Sequence, residues 1–463
     1  MRSQLKKNPA VAALAVFLFV AAGCMPALER LEVADLQRMP QTPLAYVDEF
    51  GADQPLVPAE RQQQQATLFL QHFFAPWYAD GPLEETRNPF WAVEWIRENE
   101  VFGENLRAVE DGRIKKLIEQ AAASRYPSLS RSAVTVRRCD LRALPTERPL
   151  FNDPRAPGQG FPFDFLQHGA LEANTPLLVT HLSEDGTWVF VETPLLYGWM
   201  PVTDLAWVDE EFVDTFETGR YLALTRENLA LFDTEGIFRF SAGIGTVLPL
   251  TDTEGREYEA YITVADADRQ AQLRKAPIPT EAGEVFPLPL TPRRIANLAD
   301  AMMGQPYGWG DLYGNRDCSG TVKDLFAPFG LWLPRNSSKQ AQVGEVISLE
   351  DLTPRQREER LLQEGIPFVT LVRLPGHIML YLGEYEGRAA LLHTLWGVRT
   401  RTLAGREGRW LVGKTVITGL APGMEQDGFF LSISALLERV ESMNILGSCR
   451  TLEESTAKPA EEN

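Results

Sequence analysis

The spacing of apolar positions changes texture several times along this chain. Residues 61–74 contain neither Gly nor Pro, and Trp91, Trp95 and Ile96, then Ile114, Leu117 and Ile118, recur at helical spacing. This predicts a mostly helical region as far as Tyr126, cut by Pro76 and Pro89. Short β-like runs follow at 134–137, 176–179, 188–191 and 198–202, separated by turn-formers such as Glu184-Asp185-Gly186. Several short strands so closely spaced predict a small barrel. A second region of the same texture runs over 218–276, and Pro277, Pro279, Pro287, Pro289 and Pro292 then predict a linker. The last stretch starts with a helix at 293–303 and ends with strands at 368–374, 378–382 and 389–395. Helix first and sheet afterwards predict an α+β domain. The boundaries read this way are 25–126 (helical), 127–210 and 211–282 (barrels), 283–445 (α+β) and a polar tail, 446–463.

Composition narrows the class. The chain has 463 residues, 44% of them hydrophobic, which is ample for packed cores. Its formal net charge of −18 argues against nucleic-acid binding, which needs a basic footprint. Arg2, Lys6 and Lys7 precede an apolar run over 10–22, too short to span a bilayer comfortably and fit for an export signal. Ala21-Ala22-Gly23-Cys24 closes it and resembles a bacterial lipoprotein cleavage box. That resemblance implies that 1–24 is a lipoprotein signal segment, that Cys24 carries lipid, and that the chain is exported and membrane-anchored, facing the periplasm or wall. An ordinary cleaved signal is the alternative. If Cys24 is lipidated, Cys139, Cys318 and Cys449 remain, an odd set that points to a free thiol; Cys139 and Cys449 either pair or stay separate.

Cys318 stands in the segment that carries chemistry. Asp317 suits a helix N-cap, and Val322, Leu325 and Phe326 share one face of the helix behind it. A first-turn thiol there is expected to have a lowered pKa and a larger thiolate fraction. Gly320 removes a side chain near the sulfur. Two of the chain's five histidines fall downstream: His377 opens one predicted strand, and His393 lies in the next. A hairpin through Glu386-Gly387 sets them side by side, one to contact Cys318 and the other to fix the first one's tautomer. Zinc accepts Cys and His ligands, but a fourth ligand is not evident. Taken singly, Cys318 reads as a buried hydrophobe and His377 as a core histidine. His72, beside Phe73 and Phe74, reads as a packing or surface residue.

Asp317-Cys318-Ser319-Gly320, then 333–340 (LPRNSSKQ), then 376–383 (GHIMLYLG), resemble the NlpC family of papain-like cell-wall peptidases in order, spacing and flanking residues. The resemblance implies an α+β, papain-like fold with Cys318 as nucleophile, His377 as base and His393 as third member. It implies Tyr307 beside the acyl site and Ser337 as a substrate contact. Thr321 departs from the family, which usually has a large apolar residue there; the departure touches packing. Asp185-Gly186-Thr187-Trp188 and 197–201 (YGWMP) resemble the closing strands of bacterial SH3-like domains, and Phe73-Phe74-Ala75-Pro76-Trp77 adds to the likeness. Together they resemble the multidomain branch whose members cut between γ-D-glutamate and the diamino acid of murein peptides. In that branch an acid of the first SH3-like domain meets the substrate's N-terminal amine. The candidates here are Asp164, then Glu192, with Tyr197, Asp317 and Ser319 completing the pocket.

The expected partners are a murein peptide and, through lipid, a membrane; no cofactor, metal or nucleic acid is expected, and the chain is expected to be a monomer. The rival readings are a wall-binding lipoprotein with an inactive peptidase fold and an acyltransferase on the same fold.

Overall fold

The computed structural model describes residues 32–83, 88–156, 158–253 and 257–447. Cys24 and Cys449 lie outside them, as do the segment expected to be an export signal and most of the expected polar tail. Among the described residues, no helix is long and apolar enough to cross a membrane.

The N-terminal region holds helices α1 (Asp35–Arg38), α2 (Ala59–Phe74), α3 (Trp91–Glu98) and α4 (Asp111–Gln120). The helical region expected between Pro89 and Tyr126 is thus two helices. Helix α2 buries Phe69 and Phe74 in the central core, where Phe74 meets Phe216 and Tyr221. Its buried Gln62 donates to the carbonyls of Leu288 (2.6 Å) and Phe329 (3.0 Å), fastening the region to the C-terminal half.

Strands β1 (Arg131–Thr135), β2 (Cys139–Arg142), β3 (Gln167–Leu171), β4 (Pro176–Leu182), β5 (Trp188–Glu192), β6 (Tyr197–Pro201) and β7 (Leu205–Trp207) form one antiparallel sheet, ordered β3-β2-β6-β5-β4-β1-β7. Helix α5 (Glu210–Phe216), capped by Asp209 accepting from Phe212 N at 2.8 Å, leads into the second barrel. That barrel pairs β8 (Tyr221–Leu224), β11 (Val247–Asp252), β12 (Glu257–Ala265), β13 (Ala271–Pro279) and β14 (Gly283–Val285), beside a hairpin of β9 (Leu229–Phe232) and β10 (Phe238–Ala242). Pro277 and Pro279 belong to β13 rather than to a linker. Strand β13 is the sheet's edge, where a residue without N–H costs no ladder bond.

The C-terminal domain packs helices α6 (Pro292–Met302), α7 (Cys318–Phe326), α8 (Ser337–Gln340) and α9 (Pro354–Glu364) on an antiparallel sheet. Its strands β15 (Glu345–Ser348), β16 (Thr370–Leu374), β17 (His377–Tyr385), β18 (Arg388–Thr402), β19 (Glu407–Thr418) and β21 (Ser442–Ile445) run β15-β21-β16-β17-β18-β19, with β20 (Leu431–Ile433) on β18. Glu386 (φ 49°) and Gly387 (φ 78°) make the two-residue turn between β17 and β18, whose positive φ values match the strands' twist. Val322, Leu325 and Phe326 bury the inner face of α7 against the central core.

The first barrel grips the loop ahead of α7 directly. Trp309 Nε1 donates to the carbonyl of Asp164 (3.0 Å), Gln167 Nε2 to Gly310 (2.9 Å) and Arg138 Nη2 to Asp311 (2.5 Å). In that loop Asp311 and Tyr313 both hold φ near 63°, a conformation these contacts stabilise.

Candidate active site

Asp317 caps α7, its Oδ1 accepting from Gly320 N at 2.8 Å, so Cys318 opens the helix. The thiol is buried. Burial, then the charge of Asp317, pushes it up to about 12, against the N–H groups of Ile378 and Ser319, which favour the thiolate. The lowered pKa expected from the helix N-terminus is therefore outweighed by desolvation in the resting cleft.

His377 begins β17 beside that Ile378 N–H. Its Nε2 lies 2.7 Å from His393 Nδ1, and His393 Nε2 lies 3.0 Å from Thr418 Oγ1. The strands set the two rings diagonally, since the ladder puts Leu380 opposite Leu392. The Thr418 hydroxyl donates to the carbonyl of Gly419 at 2.8 Å, so its oxygen accepts from His393 Nε2–H. A neutral His393 then accepts from His377 Nε2–H, which leaves the lone pair of His377 on Nδ1. Burial lowers both histidines, His377 to about 4 and His393 well below its ordinary value.

Cys318 lines a cleft of about 390 Å³ together with Tyr307, Trp309, Asp317, Ser319 and Ser337. Burial raises the Tyr307 phenol, with the charge of Asp317 adding to it, so it remains a protonated donor. The first barrel walls the cleft with Gln167, His168, Leu195, Leu196 and Tyr197. Arg335 ties the floor together, donating to Asp317 Oδ2 and Ser319 Oγ, each at 2.8 Å, with its Nε 2.9 Å from Asp311 Oδ2. Burial alone would raise Asp317, but Arg335 and Gly320 N hold it below the usual range. Asp311, wholly buried, is raised to about 6 despite Arg335, with Asp317 adding to the burial effect. A Cβ at Gly320 would meet Asp311 Oδ1 at 2.2 Å, so this glycine makes room for Asp311 more than for the sulfur.

The structure thus pairs His377 with His393, sets the Cys318 thiol on the N–H of Ile378, the residue after His377, and brings Tyr307, Ser337, Tyr197, Asp317 and Ser319 into one cleft with Cys318. It does not bring in Asp164 or Glu192. Asp164 Oδ1 accepts from Leu150 N and Leu166 N, both at 3.0 Å, and Oδ2 pairs with Arg142 Nη2 at 2.7 Å. Glu192 accepts from Leu83 N (2.9 Å), Tyr126 (3.0 Å) and Thr180 (3.0 Å). Asp164 is spent inside the first barrel and Glu192 between that barrel and the N-terminal region, so neither is the free acid expected to face an amine. Sequence reasoning missed Thr418, Arg335 and His168. Arg335 stood in the LPRNSSKQ motif and was the one with a signal. His168, held by Tyr197 O at 3.0 Å and stacked on Trp91, had only its place beside Gln167. His72 stacks on Trp332, 5.2 Å between ring centres, as a packing residue.

Comparison with known proteins agrees with this architecture. Residues 11–126 match the "NLPC_P60 stabilising domain, N term", 149–201 an "SH3 domain (SH3b1 type)", 209–254 an "SH3 domain of SH3b2 type" and 304–407 the "NlpC/P60 family". The chain belongs to the NlpC/P60 peptidase family, in the multidomain form with a helical N-terminal region and two SH3 domains. A solved NlpC/P60 endopeptidase from Photobacterium damselae subsp. piscicida is similar to it at 25% identity, covering 89% of this chain and 98% of that one with a TM-score of 0.80. A gamma-D-glutamyl-L-lysine dipeptidyl-peptidase of Bacillus subtilis is 26% identical over 228 residues, 47% of this chain and 69% of the relative. A "probable endopeptidase" of Corynebacterium glutamicum is 30% identical over 155 residues, 33% of this chain and 66% of the relative. The chain thus spans about two thirds of the length of these curated relatives.

Proposed function

We propose that this chain is a cysteine peptidase that hydrolyses murein peptides at the bond between γ-D-glutamate and the diamino acid. The observation that carries the reading is the directed hydrogen-bond chain Thr418–His393–His377 ending beside a helix-start thiol. In the proposed reaction the thiol proton passes to His377 Nδ1 as the sulfur attacks the carbonyl carbon. Backbone N–H groups in the first turn of α7, with the Tyr307 hydroxyl, hold the oxyanion. His377 then gives its proton to the leaving amine, and water frees the thioester, returning a proton to the thiol. The walled end of the cleft suits a short N-terminal piece such as L-alanyl-γ-D-glutamate, with Tyr197, Ser319 and Asp317 around its amine. The γ-D-glutamyl relative supports the bond assignment.

The test is digestion of murein tripeptide with products identified by mass. Wild type should release the diamino acid; Cys318→Ala should be inactive, His377→Ala nearly so, and His393→Ala down on the order of a hundredfold, since it orients the base. Turnover by Cys318→Ala near the wild-type rate would end the reading. Transfer of the acyl group to an added amine in preference to water would instead mark an acyltransferase.

We further propose that Cys24 is lipidated and anchors the chain to a bacterial membrane. The support is the sequence of the export signal. Full-length protein made in bacteria should take up labelled palmitate, and Cys24→Ser should not; unlabelled wild type would count against the anchor.

A further inference from the structure

Strand β18 runs on from His393 past Trp396 to Arg399. Trp396 packs on the cleft residue Tyr307 and on Phe163 of the first barrel, with ring centres 5.6 and 6.1 Å away. Arg399 stands directly opposite Arg409 of β19. Like charges so placed weaken a strand pair. A third guanidinium joins them: Arg439 Nη2 donates to the carbonyl of Pro375 at 2.9 Å, two residues before His377. Its segment is tied to the same strand, since Ser434 N donates to Arg399 O at 3.0 Å. Arg409 lies against the first barrel, where a Cβ on Gly158 would stand 2.9 Å from its Nη2.

The three sense one another. Partial burial lowers the pKa of Arg409 and of Arg439; Arg399 lowers both further, and Arg409 also acts on Arg439. Glu407 and Glu441 moderate this, but Glu441 is paired with Arg373. Among the described residues, no carboxylate comes within 4.0 Å of any of the three. In a chain of net charge −18, this cluster, whose Arg439 acts on His377, is a place for an anion.

We propose that Arg399, Arg409 and Arg439 form the subsite for the carboxylates of the leaving half, favouring a diamino acid with a second carboxylate over lysine. The inference rests on the peptidase reading above, because it needs a leaving half. The barrel side of the cleft is walled by Leu195, Leu196 and Tyr197, so the acyl half has its place there. His377 protonates the leaving amine, and Arg439 is bonded to the chain just ahead of that base. A planar guanidinium can bind a carboxylate with two parallel N–H donors.

The experiment compares kcat/KM of the full-length enzyme for L-alanyl-γ-D-glutamyl-diaminopimelate with that for the same tripeptide bearing a carboxamide on the distal diaminopimelate carbon. Wild type should prefer the carboxylate roughly tenfold or more. Arg399→Gln and Arg439→Gln should each shrink that ratio, and the double variant should bring it near one. The ratio is internal to each enzyme, so partial misfolding cannot imitate the effect. Equal rates on both substrates by wild type would overturn the subsite and leave the peptidase standing; cleavage of neither would remove both. A role in docking to anionic membrane would show as loss of binding to phosphatidylglycerol vesicles by Arg399→Gln with the substrate ratio intact, and that result would also overturn the subsite.

Discussion

Thr418 accepts from His393 because its own proton goes to the carbonyl of Gly419, and the tautomers of both histidines follow. Thr418→Val removes that acceptor and leaves the buried His393 Nε2–H without a partner. The pair then has no fixed direction, so kcat should fall on the order of tenfold with KM little changed, and Thr418→Ser should restore it. A loss confined to KM would show that Thr418 acts on substrate binding. The pKa directions set a second expectation. His377 must be neutral to take the thiol proton, and burial lowers it to about 4. The acid limb of kcat/KM should therefore lie near pH 4 rather than near the ordinary histidine value of about 6.5, with activity rising as pH rises through it. Burial raises the thiol, so iodoacetamide at pH 7 should alkylate Cys318 more slowly than a free cysteine. Rapid alkylation at pH 6 would show that the pair rests as thiolate and imidazolium.

At the scale of elements, local signals were legible and long-range pairings were not. Helix α7 could be read because Asp317 supplies a cap and Val322, Leu325 and Phe326 supply one apolar face. The β17–β18 hairpin could be read because Glu386-Gly387 accepts positive φ. The edge strand β13 could not: Pro277 and Pro279 look like linker residues until their place at the rim of a sheet is known. Thr321 shows the same limit. In the sequence its departure from the family residue touches only packing, yet its hydroxyl lies 2.5 Å from Thr394 Oγ1, which lies 2.8 Å from Thr415 Oγ1. The three buried hydroxyls join α7, β18 and β19 across the sheet, next to His393, so a polar residue at one position is answered by polar residues at two others.

Across the whole molecule, the barrels act on the site through buried polar contacts that sequence spacing cannot show. Asp164 looked like a loop carboxylate free to meet an amine. In the fold its side chain and that of Arg142 are each only 4% exposed and pair at 2.7 Å. Arg142 Nη1 also donates to Gln167 Oε1 at 2.6 Å, and Gln167 Nε2 reaches the carbonyl of Gly310 at 2.9 Å. One carboxylate thus helps to hold the arginine that orients the glutamine gripping the loop ahead of Cys318. Asp164→Asn leaves Arg142 buried with its charge uncompensated, which typically costs about 3–5 kcal/mol. The variant should unfold at clearly lower denaturant concentration, and its activity should fall by loss of folded enzyme and a looser loop. The preference of the remaining active enzyme for a free over an N-acetylated substrate amine should match wild type, because Asp164 does not line the cleft. Denaturant titration together with the ratio of kcat/KM for the two substrates separates these effects. If stability were unchanged and the amine preference vanished, Asp164 would be a substrate ligand after all, and the first barrel would have to present it to the cleft in a conformation different from this one.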